Sequence, residues 1–129
     1  NHLGKNTKSS QVINNVADSK ATATCNGRIV IDNGSSKADA SLSNKNLALG
    51  DNVTFNAKPE LEIYNDDVSC SHGATISQLS ESELFYLTSR GVHPARAKNM
   101  MARGFLNDAV SGALKENSTH RLESFFPKI

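Results

Sequence analysis

The sequence is short of nearly everything that builds a large core or a covalent framework. Of 129 residues none is tryptophan, aromatic side chains make up 5%, and only three residues are proline. A β-sandwich must fill the space between its sheets with Val, Ile and aromatic side chains, and so thin a supply argues against one. Two cysteines, Cys25 and Cys70, are too few for a disulfide framework and form no C-x-x-C pair, a usage that fits a reducing compartment. Together with four scattered histidines they do not supply the ligands of a closed structural zinc site, so a metal here would need another chain to complete its shell. Charge of neither sign is in excess. With 14 basic and 13 acidic side chains the net charge is +1, which removes the electrostatic case for nucleic acid or an anionic membrane as partner. No apolar run approaches the roughly 20 residues that span a bilayer. The opening "NHLGKNTKSS" has neither Met nor a signal-peptide pattern, and reads as a soluble fragment starting in mid-fold.

What is present divides into two unlike parts. Residues 1–78 are rich in Asn, Ser, Thr, Asp and Gly, with short β-type runs such as "SQVINNVA", "ATATCNGRIVI", "ADASLSNKNLAL" and "VTFNAKPELEIY". Turn signals separate them, among them Asp32-Asn33-Gly34 and Gly50-Asp51-Asn52, residues that tolerate positive φ. Strands this weakly apolar suit stacked coils, in which each coil buries a few small side chains and its backbone bonds to the coils on either side. The expected architecture is a parallel β-helix, although no exact repeat is visible. From residue 79 to 129 the pattern is helical. Ser80 precedes Glu83 at capping-box spacing, "SESELFYLTSRG" stops at Gly91, and Leu84, Phe85 and Leu87 supply its apolar side. A second helix starts at Pro94 with Ala97, Met101, Phe105, Ala109 and Ala113 in helical spacing; close packing would explain Gly104 and Gly112 within it. "STHRLESFF" reads as a third, short helix ending before Pro127.

The densest chemistry lies in "DDVSCSHGAT", Asp66 to Thr75. Alternation along a strand puts Cys70 and His72 on one face and Ser71 on the other, with Cα atoms of residues i and i+2 about 7 Å apart. Two such ligands make half a metal site; the plainer account is a small packed cysteine beside an ordinary polar histidine. Asp66 and Asp67 with His72 also invite a carbohydrate-active β-helix enzyme. Adjacent strand residues face opposite ways, however, and inverting hydrolysis wants its carboxylates about 6.5 to 9.5 Å apart across one bond. A turn in which the aspartates cap backbone N–H groups is the blander reading. Cys25, alternating with Thr22 and Thr24, is expected to pack inward. His2 and His120, in end segments, look solvated, and His93 fits the neighbourhood of a helix N-cap before Pro94.

These residues also carry a family likeness. "KPELEIYNDDVSCSHGATISQLSESELFYLTSRGV" resembles the C-terminal signature of the SufB/SufD family, scaffold subunits of the SUF iron–sulfur cluster assembly machinery. "ADASLSNKNLAL" is similar to the family's D-A-x-x-x-N-x-N-L stretch, "NGRIVI" to its G-x-I-x-V strand, and "HLGKNTKSSQVINNV" to its H-x-G-x-x-T-x-S run. Gly73 after His72, where SufB-type chains carry Glu, makes the likeness closest to the SufD branch. The resemblance implies a right-handed parallel β-helix over residues 1–78 followed by a small helical domain over 79–129, with early coils of the family fold missing. It implies a non-enzymatic scaffold that pairs with a SufB-like subunit through the β-helix and binds the ABC-type ATPase SufC through the helical region. No G-x-x-x-x-G-K-[ST] phosphate loop occurs in the sequence. It further implies that His72, with Cys70 as the less certain neighbour, lies at the SufB interface, where it ligates iron of a nascent cluster or steers a persulfide together with partner thiolates. No cofactor is implied as tightly held by this chain alone. Tyr86, Arg90 and Met101 are the candidate ATPase contacts. An open coil end would let the isolated chain homodimerise. The implied compartment is bacterial cytoplasm or a plastid-type organelle.

Overall fold

The computed structural model describes residues 1–111. Five ten-residue strands, β1 (Lys8–Ala17), β2 (Thr22–Ile31), β3 (Asp39–Ala48), β4 (Thr54–Ile63) and β5 (Ser69–Gln78), are followed by α1 (Glu81–Ser89) and α2 (Pro94–Ser111). The chain alternates between two sheets. One has the order β1-β3-β5 and the other pairs β2 with β4, and every pairing is parallel. Register is uniform: Lys8 faces Asp39 and Asp39 faces Ser69, while Thr22 faces Thr54. Strand neighbours therefore stand about 31 residues apart in sequence, as in the Ser41 to Ser10 hydroxyl bond. This is the repeat that residue identities hide.

The bends repeat with the strands. Among non-glycine residues of positive φ, Asn6 (57°) recurs as Lys37 (59°), and Lys20 (62°) as Asn52 (59°). A left-handed residue at the same point of successive bends turns the chain into the next strand. Backbone bonds then stack the bends, from Asn6 N–H to the Ser36 carbonyl at 3.0 Å and from Lys37 N–H to the Asp67 carbonyl at 2.6 Å.

Between the sheets lies a narrow core of Ile29 and Ile31 from β2 with Ala38, Ala40 and Leu42, edged by Leu61, Val68 and Cys70. Small side chains suffice because the sheets approach closely. At Gly27 a Cβ would stand 2.4 Å from Leu42 Cδ1, so only glycine fits there without movement. Cys25 lies on the half-buried inward side of β2, as its alternation requires. Polar side chains also enter the interior: Asn44 and Asn46 are buried, and Asn15 Nδ2 donates to Oδ1 of both.

His2 departs from the expectation that it is solvated. It is buried, forms a bridge to Ile31, and places Nδ1 2.6 Å from Thr7 Oγ1 and Nε2 2.7 Å from Ser9 Oγ. Thr7 Oγ1 donates to the Gly4 carbonyl, so it accepts from His2 Nδ1–H, and Ser9 Oγ bonds with Nε2. The histidine thus ties the entering chain onto β1 and β2.

In the helical region, Ser80 Oγ accepts from Glu83 N–H at 3.3 Å, and Gly91 at φ 85° ends α1 with Gly91 and Val92 N–H groups returning to the Thr88 and Leu87 carbonyls. His93 Nδ1 accepts from Ala95 N–H and caps α2. Along α2, Ala97 is buried and Met101, Phe105 and Ala109 are half-buried, the predicted stripe. It docks on the outer side of the first sheet, where Asn14 Nδ2 donates to the Phe105 carbonyl and Lys45 pairs with Asp108 at 2.8 Å. Two expectations fail here. Phe85, placed on the buried side of α1, is 73% exposed, because no element among the described residues covers that side. Gly104 has open space where a Cβ would stand, so close packing does not account for it. Ala113, Gly112, His120 and the third helix lie outside the described residues.

Candidate edge-strand site

Of the candidate residues, Cys70 and His72 lie on β5, the last strand of its sheet. It is hydrogen-bonded to β3 on one side, and among the described residues no strand pairs with its other side. The second sheet has one strand fewer, and among the described residues the side chains of β5 from Ser71 to Gln78 are all exposed. Cys70 and His72 share that inner face, as alternation predicts, being in register with buried Ala40 and Leu42. Their surroundings differ. Cys70 is half-buried against the apolar core, whereas His72, Ala74 and Ile76 are exposed, Ile76 to 61%. An inward-type apolar residue left in solvent marks a face that lacks its cover. The outer face carries Ser69, Ser71, Gly73, Thr75 and Ser77, and a Cβ at Gly73 would meet nothing.

Asp66 and Asp67 occupy the bend before β5. Asn65 rather than either aspartate does the capping: its Oδ1 accepts from Asp67 N–H at 2.9 Å, and its Nδ2 bonds to the Asn33 carbonyl of the bend one repeat earlier. Asp67 Oδ2 accepts from Ser36 Oγ. The two carboxylates face a shallow depression with Lys8, Lys37 and Asp39, and His72 is not among the residues lining it. The three groups do not form one catalytic constellation, and the carbohydrate-enzyme reading finds no support. Among the described residues no group of three or more His, Cys, Asp and Glu side chains is placed to hold a metal. Cys70 and His72 share a strand face with no third such side chain beside them among the described residues.

Tyr86 sits on α1 and Arg90 is the C-cap of that helix, both separate from β5; both are exposed, and the Arg90 guanidinium lies 5.1 Å from the Tyr86 ring centroid. Met101 is half-buried on α2, and its neighbour Met100 is the exposed one of the pair. Sequence reading missed Ile76, whose exposure depends on the sheet ending at β5, and the Asn15–Asn46 amide pair, whose signal was the roughly 31-residue spacing.

A family model described as "SUF system FeS cluster assembly, SufBD core domain" matches residues 1–105. The chain belongs to the SufBD family. Among curated relatives it is 38% identical over 97 residues to the iron–sulfur cluster assembly protein SufD of Escherichia coli, covering 75% of this chain and 23% of that protein. A SufBD family protein of Synechocystis is 38% identical over 95 residues, covering 74% and 21% respectively. The chloroplastic protein ABCI7 of Arabidopsis thaliana is 35% identical over 95 residues, covering 74% and 20%. The likeness is thus to SufD-type members, and the chain spans only about a quarter to a fifth of the length of these relatives. No helix among the described residues is long and apolar enough to cross a membrane.

Proposed function

We propose that this SufBD-family chain is part of a SufD-like, non-enzymatic scaffold for iron–sulfur cluster assembly, and that β5 is the edge at which it meets a SufB-like subunit. The two parallel sheets are then successive faces of a right-handed parallel β-helix over residues 1–78, and α1 and α2 belong to the helical region that takes the SufC-like ATPase. The observation that carries the reading is His72 exposed on the inner face of an edge strand that, among the described residues, pairs on one side only. An edge of that kind is a template for strand pairing, and an uncovered inner face accepts the side chains of an added coil. A neutral imidazole there ligates iron or orients a persulfide while partner thiolates supply the remaining ligands of the nascent cluster, which is cargo. Cys70 stands at the margin of the same site. Tyr86, Arg90 and Met101 are the proposed ATPase contacts, through which movements of SufC reach the edge.

Co-expression with SufB-like and SufC-like subunits tests this reading. The wild-type chain is expected to co-purify with both, and His72→Ala to co-purify but fail to build a cluster, read by absorption of the reconstituted complex. Normal cluster formation with His72→Ala, or no capture of either subunit, would overturn it. Cys70→Ala separates a ligand, which abolishes assembly, from a packing residue, which leaves it intact.

A further inference from the structure

We infer that Asn46 is a positioning residue: its buried carboxamide ties edge strand β5, and with it His72, to the body of the sheet. The inference rests on the reading of β5 as the assembly edge.

β5 has little else to hold it. Of its ten side chains only Cys70 is half-buried, and strands whose backbone bonds are solvent-exposed open at low free energy. Asn46 is the opposite case, 1% exposed and the largest wholly buried polar side chain among the described residues. Its Nδ2 donates to the Thr75 carbonyl of β5 at 2.9 Å, and its Oδ1 accepts from Asn15 Nδ2 of β1 at 2.9 Å. A carbonyl only accepts, so the Thr75 contact fixes which end of the amide is which. A chain of amide bonds thus crosses all three strands of the sheet. Ser77 Oγ adds a bond back to the Asn46 carbonyl at 3.2 Å.

These bonds hold the end of β5 that the core does not reach. Apolar burial touches β5 only near Cys70. Every residue of β5 offers a backbone carbonyl, so the Thr75 contact anchors the strand without reading its register. If that end of β5 opened, the buried Asn46 amide would lose its acceptor, which adds to the cost of opening.

Hydrogen exchange read by mass spectrometry on the full chain tests this. In Asn46→Ala, peptides covering 73–78 are expected to exchange roughly tenfold faster, the equivalent of one buried hydrogen bond, with β2 and β4 unchanged and capture of the partner subunit reduced in parallel. Asn15→Ala removes a bond of the same amide chain but leaves the Thr75 contact. It is expected to lower overall stability and keep β5 exchange within about twofold of wild type. Ser77→Ala, exposed and safe for folding, should accelerate β5 about two- to threefold and carries the test if Asn46→Ala does not fold. Unchanged β5 exchange, equal acceleration in Asn15→Ala, or faster exchange with full partner capture would overturn the inference. His72→Ala in the same capture and cluster assays reports on the underlying reading separately: if it assembles normally, the assembly edge is misplaced, whatever Asn46 does to β5.

Discussion

Replacing Gly27 by alanine adds one methyl group at the tightest point between the sheets. The new Cβ would lie 2.4 Å from Leu42 Cδ1 and 3.5 Å from both Cγ and Cδ2. Carbon atoms rest at about 3.5–4.0 Å, so Leu42 must withdraw by roughly 1 Å. It has little room to do so, being 3% exposed and clustered with Ile29, Ile31, Ala38 and Ala40. Overpacking of this kind costs about 1–3 kcal/mol, while the stiffer unfolded chain offsets about 0.4–1 kcal/mol. The net expectation is a loss of about 1–2 kcal/mol. Urea denaturation followed by circular dichroism would record a lower midpoint with an unchanged slope. Leu42→Ala alone should cost about 2–5 kcal/mol by opening a cavity. In the double variant the methyl group added in place of the Gly27 hydrogen occupies part of that cavity, so the combined loss should fall short of the sum by about 1 kcal/mol or more. A Gly27→Ala protein as stable as wild type, or a double variant additive within about 0.5 kcal/mol, would refute the close approach of the two sheets.

Two further outcomes follow from the bends and the outer faces. Lys37 and Lys20 hold φ near 60°, so Lys37→Gly and Lys20→Gly should each stabilise the fold by up to about 1 kcal/mol and raise the urea midpoint accordingly, while Lys5→Gly should not; a loss at both bends would contradict the assigned turn geometry. Glu60 is held below its ordinary 4.5 by a hydrogen bond from Lys58 and then by that ammonium's charge. A carboxylate lowered in this way adds stability that is complete above the ordinary value and is lost as pH falls through the folded one. Lys58→Met should therefore flatten the decline in melting temperature between about pH 5 and 3, by a small amount because solvent reaches both side chains; an unchanged acid profile would count against the pairing.

Much of the local chemistry was legible where it acts within a few residues, although at the bend before β5 Asn65, and not the expected aspartates, does the capping. Ser80 with Glu83, Gly91, His93 before Pro94, and the alternation of Cys70 with His72 each behave as their spacing implies. What escaped reading depends on neighbours about 31 residues away. His2 looked solvated as a terminal residue, yet it is buried because β2 lies beside it and two hydroxyls from its own side of the chain meet both ring nitrogens. The repeat itself was hidden because a bend needs only a left-handed residue, and here Asn and Lys meet that need at equivalent points. Phe85 shows the converse: its helix is predicted correctly, but the apolar residue has nothing to pack against among the described residues.

The same distinction explains why one histidine could be singled out without its site being recognisable. Alternation assigns His72 to the inner face, where Leu42 in the adjacent strand is buried. By alternation alone His72 would be a core residue, and a poor one, since a buried imidazole requires partners such as those that satisfy His2. No hydrogen bond of the His2 kind is needed at His72, because the second sheet ends one strand earlier and solvent reaches the ring. An inward position without a cover is therefore a property of where the sheets stop. It is also what makes the residue available: strand pairing supplies the backbone contacts and a partner's side chains supply the missing inner layer, so His72 becomes buried and ligated only in the assembled complex that the reading proposes.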